Sequence, residues 1–261
     1  MTEETTPIVE LGQWLQTPPG RYAARWEQAR IDEIVGDVFG YNAVQVGLVD
    51  WDLLDHNRMP FKVYVSAIAL SPDSLVLRRA CVLADPAALP FESQSIDLLV
   101  LPHVFDCTAT PHLVLREVER VLMPEGRVVI SGFNPWSLWG ARNVMPAMEQ
   151  WLPSGPSSLV SVPRLRDWLK LMSFEVDAPS YGCFVPPVRA DQWLDRFEFM
   201  ERAGARWWNV CGNVYVVTAV KRVVGMRLIK PSWKRRKKRR VAQVAPVAVR
   251  RNTLKEPFLN E

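Results

Sequence analysis

Ala43 to Asp52 reads AVQVGLVDWD: an apolar run ends on a glycine, and two aspartates, Asp50 and Asp52, follow within five residues. A strand ending on glycine is how nucleotide-binding folds open their ligand loop. Glycine accepts positive φ and lets a ligand approach the backbone. Gly47 has no second glycine to help it before Phe61, and Val49 cannot stand in, because a β-branched residue at positive φ is an outlier. Two further residues carry chemistry. Asp85, just before Pro86, is a polar ligand or a turn-capping aspartate. His103, at the end of an apolar run, titrates near neutrality; it is a general base or a polar residue at a strand end. The four cysteines, Cys81, Cys107, Cys183 and Cys211, form no Cys-x-x-Cys, which argues against structural zinc and a disulfide framework.

The elements that position these residues follow from periodicity. Apolar runs at 43–47, 61–69 (FKVYVSAIA), 80–84 (ACVLA) and 96–101 (IDLLVL) suit parallel strands covered on both faces. Residues 20–38 read as an amphipathic helix with Tyr22, Trp26, Ile34 and Val38 on one side, after a Pro18–Pro19–Gly20 breaker. A helix opens at Thr110–Pro111, with Thr110 as its cap, and stops at Pro124 and Gly126. RVVIS at 127–131, a helix over 162–172, a strand near 174–177 and VYVVTAV at 214–220 complete an alternation of strands and helices. That alternation predicts an α/β fold with a mostly parallel sheet.

The segment Leu83 to Pro135 contains LADPAALPFESQSIDLLVLPHVFD and then LREVERVLMPEGRVVISGFNP. Asp85, Leu89–Pro90–Phe91, Asp97, Glu117, Arg120–Val121–Leu122, Pro124 and Gly126 fall in the order and spacing of class I S-adenosylmethionine-dependent methyltransferases of the type 11 kind. The chain resembles that family over residues 41–135, and in general layout over 136–222. LSPDSL at 70–75 resembles the family's turn after strand two. PGRY near the start, together with SGFNPWSLWG, resembles a proteobacterial branch.

The resemblance implies a doubly wound, Rossmann-like fold with a seven-stranded, mostly parallel sheet. It implies a methyltransferase-like domain over 41–222; the helical period before it and the charge block after it divide the rest into an N-terminal helical cap over residues 1–40 and a basic tail over 223–261. It also implies S-adenosylmethionine as cofactor, bound at Gly47, Asp85, Ala87 and Leu101, with His103 beside the transferred methyl. Asp85 would accept from the adenine amino group, and Leu101 to His103 would face the sulfonium and substrate. The family's ribose-binding acid at the end of strand two is missing, since Ala69 stands there; Asp50 or Asp52 could reach the ribose or the amino group instead. Asn134–Pro135–Trp136 is not the family's amino-methylating signature, because it follows strand five rather than strand four. Phe133, Trp136 and Trp139 wall a pocket or pack the core.

Function therefore has two readings: a methyltransferase of unknown acceptor, or a catalytically silent methyltransferase fold that binds or scaffolds. Charge adds a third element. Residues 221–261 hold 14 Lys/Arg against 2 Asp/Glu, a balance of +12, whereas residues 1–220 hold 18 against 26, a balance of −8. A like-charge block of this kind is usually disordered. Residues 230–240, with Trp233 among them, suit nucleic acid, an anionic membrane surface or no partner at all. No apolar run is long enough to span a bilayer, and the acidic start MTEETTPIVE is unlike a secretory leader, so the cytoplasm is the expected compartment.

Overall fold

The computed structural model describes residues 7–69, 80–145, 150–153, 159–188 and 199–222. The LSPDSL turn, Trp233 and the basic segment lie outside them. The strands are β1 (Asn42–Val46), β2 (Phe61–Ser66), β3 (Ala80–Leu83), β4 (Ile96–Pro102), β5 (Leu122–Phe133), β6 (Phe174–Val176), β7 (Ser180–Gly182) and β8 (Val214–Lys221). They form one sheet of order β3-β2-β1-β4-β5-β8-β6, with the three-residue β7 also on β8. The first five in that order pair in parallel; β8 runs antiparallel to β5, β6 and β7. Among the described residues the sheet thus has one strand more than the seven expected. β7 is too short to carry a periodic signal.

The chain places β2 and β3 on one side of β1 and β4 on the other. This reversal opens a crevice at the C-terminal ends of the strands, where α/β sheets bind ligands. Period two sorts the strand residues onto two apolar layers. Val44, Val46, Leu99, Leu101 and Ile130 share one layer with α4 (Pro111–Val121) and α6 (Val162–Leu171). Ala43, Leu98, Val100 and Val129 share the other with Ile31 and Val35 of α2 (Pro18–Gly36).

Among the described residues two helices precede the sheet and belong to the same compact unit: α1 (Pro7–Leu15) and α2. The two prolines do not break the chain ahead of α2. They form its first turn, where a missing N–H costs nothing, and Thr17 caps it by accepting from the Gly20 N–H at 3.3 Å. Gly20 lets α1 approach, since a Cβ there would lie 2.6 Å from Leu15 Cα. At α4 the expected cap is absent: Thr110 makes no side-chain cap bond, and its carbonyl accepts from the Leu113 N–H instead. Pro124 and Gly126 lie inside β5, which starts at the helix end because Leu122 already pairs with Ile96. No helix among the described residues is long and apolar enough to cross a membrane.

Candidate functional site

The loop after β1 is shaped by a buried glutamine rather than by several glycines. Gly47 and Leu48 both have left-handed backbone, φ 81° and 44°. The second positive φ thus falls on Leu48, which is not β-branched, and Val49 escapes it. Gln45 sits on the same strand face as Ala43, yet it is wholly buried and polar. Its Nε2 donates to the carbonyls of Trp51 (2.7 Å) and Leu48 (3.1 Å), and its Oε1 accepts from the Leu53 N–H at 3.0 Å. The Trp51 indole donates to Gln28 Oε1 of α2 at 2.6 Å. Asp52 is engaged, accepting from the Tyr64 hydroxyl (2.7 Å) and the Leu54 N–H (3.0 Å). Asp50 is exposed and makes no hydrogen bond or ion pair with a described residue.

Beside this loop lies a cavity of about 1090 Å³. The upper end of the usual small-molecule range is roughly 1,000 Å³. Leu48 to Trp51 form one wall, Ser66, Ile68 and Ala69 a second, and residues of α1 and α2, including Ile8, Arg21 and Arg25, a third. Strand β2 ends at Ser66, short of the Ala69 expected, because the Ser66 hydroxyl turns the chain by donating to the Ile68 carbonyl at 2.7 Å. None of residues 66–69 is acidic.

The residues expected to hold a cofactor are not equally placed. Gly47 is buried at the end of β1. A Cβ there would meet Ile8 Cδ1 at 3.3 Å and Val104 Cγ2 at 3.4 Å, so α1 already occupies the space that its missing side chain opens. Asp85 is exposed after β3, and its Oδ1 accepts from the Ala87 N–H at 2.8 Å, so the two residues form one Asx turn. The Leu101 side chain is wholly buried in the apolar layer against α4 and α6, so it would meet a ligand through its backbone.

His103 is also placed differently from a free base. It follows β4 in left-handed backbone, φ 52°, and is wholly buried. Its Nδ1 lies 2.8 Å from Asp106 Oδ2 and its Nε2 lies 3.0 Å from Glu27 Oε2. Burial alone would lower its pKa, but the Glu27 and Asp106 carboxylates outweigh that and raise it to about 10. Both nitrogens then carry protons at neutral pH, and the ring has no lone pair for base catalysis. Burial pushes the Asp106 carboxyl up as well, against the pull of His103. Asp106 Oδ2 also accepts from the Phe133 N–H at 3.0 Å. Four more buried oxygens border this cluster or its strands with no hydrogen-bond partner among the described residues: Glu27 Oε1, Asp106 Oδ1, Ser131 Oγ and the Tyr215 hydroxyl. Gly132 makes the room. A Cβ there would lie 2.6 Å from the Tyr215 hydroxyl and 3.3 Å from Asp106 Oδ2.

Glu27 and Gln45 are the polar residues that the sequence reading missed. Both had a signal. Glu27 interrupts the i, i+4 stripe Ala23–Glu27–Ile31–Val35, and Gln45 interrupts an otherwise apolar strand. A polar residue inside a buried stripe needs a partner. Phe133 and Trp139 are core, wholly buried, while Trp136 is 62% exposed. Asn134 follows β5, as expected, and is structural: its Nδ2 donates to the carbonyls of Val210 and Gly212. All four cysteines are free thiols, and burial pushes that of Cys107 up to about 12.

Residues 57–130 match the Methyltransferase domain family. Over 164 residues, 62% of this chain, the sequence is 30% identical to the uncharacterized protein YafS of Escherichia coli (strain K12); the match spans 65% of that protein's length. The fold is similar to a chain from the Haloferax volcanii complex of the Trm112 methyltransferase activator: TM-score 0.56 at 14% identity, covering 83% of this chain and 97% of that one. It is also similar to a SAM-dependent methyltransferase from Thermotoga maritima: TM-score 0.55 at 14% identity, covering 76% and 91%. At such identities the structural likeness speaks for the fold alone. The strand order with its antiparallel β8, the crevice at the β1 switch point and these likenesses together show an α/β, Rossmann-like methyltransferase fold.

Proposed function

We propose that the chain is an S-adenosylmethionine-dependent methyltransferase acting on an acceptor that no described residue specifies. The observation that carries this reading is the cavity itself. It lies at the C-terminal ends of β1 and β2, beside a left-handed turn at Gly47–Leu48, and it is large enough for a nucleoside-sized ligand. When bound, the cofactor supplies a methyl group on a sulfonium, open to in-line attack by a nucleophile. The protein's part is then to hold the reactants in line and exclude water. The Gln45-braced loop and the α1–α2 pair supply that framework. The buried His103 cluster acts at one remove, by fixing α2 to the end of β4. Calorimetric titration with S-adenosylmethionine and S-adenosylhomocysteine tests the reading. Binding of either supports it, and no binding at millimolar concentration overturns it.

A second reading, a silent methyltransferase fold used for binding or scaffolding, is favoured by one observation: residues 66–69 offer no acid for ribose hydroxyls. Cofactor binding without transfer to any acceptor in a lysate of defined small molecules, nucleic acids and proteins would support it.

A further inference from the structure

We infer that Arg25 of α2 and Asp50 of the β1 loop are the polar contacts of the crevice: Arg25 takes the α-carboxylate of the cofactor's amino-acid end, and Asp50 takes its ribose hydroxyls. This rests on the crevice being a cofactor site, as proposed above.

The starting point is an imbalance. Most of the lining is apolar: Ile8, Val9, Leu15, Leu48, Val49 and Ile68 are typical. Among the described residues of the lining, charged groups enter from two walls: Arg21 and Arg25 from α2, and Asp50 from the loop. Arg21 is tied down, donating to the Gln16 carbonyl at 2.7 Å. Arg25 and Asp50 are both exposed, and neither makes a hydrogen bond or ion pair with a described residue. A free cation and a free anion on different walls of one apolar cavity suit a ligand that is itself polar at two separated points and apolar or planar between them.

S-adenosylmethionine and its homocysteine product have that pattern. Their carboxylate offers two acceptor oxygens, which a guanidinium fork matches in geometry as well as charge. Their ribose offers two vicinal O–H donors, which an ionised carboxylate accepts. The ordinary source of that carboxylate is lacking, because β2 ends in Ser66 and residues 67–69 carry no acid. Asp52 is ruled out by its bonds to the Tyr64 hydroxyl and the Leu54 N–H. Asp50 shares the cavity with the end of β2, so the acid reaches the same ligand from the neighbouring loop. Gln45 fixes the loop that carries it, and Trp51, next in sequence, bonds Gln28 of the helix that carries Arg25. The two charged walls are therefore braced against each other.

The test is titration calorimetry of the full chain and its Arg25→Met and Asp50→Asn variants with two ligands. One is S-adenosylhomocysteine. The other is 5′-methylthioadenosine, which has the ribose and adenine but no amino-acid end. Both substitutions are at exposed positions, and unchanged melting temperatures check that the variants fold. Arg25→Met should weaken S-adenosylhomocysteine about 10- to 100-fold and leave methylthioadenosine unchanged, since a hydrogen bond to a charged group is lost with one ligand only. Asp50→Asn should weaken both ligands by a similar factor. Loss of homocysteine binding alone in Asp50→Asn would put Asp50 on the ammonium and overturn its assignment to the ribose. Variants that bind both ligands as the parent does would overturn the assignment of both residues while leaving the crevice a cofactor site. A parent protein that binds neither ligand would overturn the reading of the crevice itself.

Discussion

Glu27 of α2 and His103 at the end of β4 meet at 3.0 Å, 76 residues apart in sequence and both without solvent exposure. The contact fastens the helix that walls the crevice to the strand end that borders it. His103 is held from the other side by Asp106, so the imidazolium sits between two carboxylates. Removing Glu27 leaves the buried Nε2–H of that ring without its acceptor, and an unpaired buried group of this kind costs about 1–3 kcal/mol. Glu27→Ala is therefore expected to lower urea stability by that order. It should also loosen α2, read as faster amide exchange from Ala23 to Val35. A loss below about 1 kcal/mol would mean that Asp106 alone satisfies the ring.

The same cluster sets a pH dependence. His103 is raised from 6.5 to about 10, so the folded state binds a proton that the unfolded chain releases above 6.5. Its stabilising contribution is complete below pH 6.5 and is lost as pH rises through 10. Asp106, also raised, has the same sign: the folded state holds its proton more firmly, and stability falls with rising pH. The unfolding midpoint should therefore decline between pH 7 and 10. A His103→Gln protein should be less stable at neutral pH and flatter across that window. A parallel decline in parent and variant would move the cause to another group.

Much of this fold was legible because burial leaves a period in the sequence. The strand cores at 43–46, 61–66, 80–83, 96–101 and 214–220 are dominated by apolar residues, and each lies where its run predicts. Boundaries failed where a local bond overrode the pattern: the Ser66 hydroxyl ends β2 within an apolar run, and Leu122 enters β5 before the proline and glycine that looked like a stop. The site was harder to read. Its polar residues act through tertiary pairing, and Glu27 looks like any helix-surface acid until its i, i+4 neighbours are seen to be buried. His103 read either as a base or as a polar residue at a strand end, and its type alone does not choose; Glu27 and Asp106, which bracket the ring in the fold, carry no mark of that pairing in the sequence.

Gly132 is expected to tolerate no side chain. In Gly132→Ala the new methyl would lie 2.6 Å from the Tyr215 hydroxyl and 2.9 Å from its Cζ, with Asp106 Oδ2 at 3.3 Å. Tyr215 is wholly buried and cannot swing into solvent. Overpacking of this kind costs about 1–3 kcal/mol. Differential scanning calorimetry should show a lower melting temperature, and Gly132→Ala with Tyr215→Phe should recover part of the loss by removing the nearest atom. An unchanged melting temperature in the single variant would mean that β5 and β8 can part at this point.

Gln45 supports a prediction about the loop. Gln45→Met keeps the length of the side chain but leaves the Leu53 N–H and the carbonyls of Leu48 and Trp51 without their partner. Each buried group left unpaired costs about 1–3 kcal/mol unless water reaches it. The chain is expected to respond by opening the loop. Limited proteolysis should then cut between Gly47 and Leu53 in the variant under conditions where the parent is intact. Equal protection of the two proteins would show that the Trp51–Gln28 bond suffices to hold the loop.

The basic segment gives the last prediction. Residues 230–240 contain eight Lys/Arg and no acid, against a body whose residues 1–220 balance at −8. If the segment meets nucleic acid, each phosphate it neutralises adds about 0.7–0.9 to the slope of log affinity against log salt. Five or six contacts would make binding steeply salt-dependent, and truncation after Arg222 should abolish it, since the acidic body repels polyanions. Fluorescence anisotropy with a labelled RNA and a labelled DNA duplex, titrated in salt with both proteins, measures this. Binding that survives truncation would place the site on the body. No binding to either nucleic acid, with tail-dependent binding to vesicles containing phosphatidylserine, would assign the charge to a membrane surface, where each basic residue contributes about 1 kcal/mol.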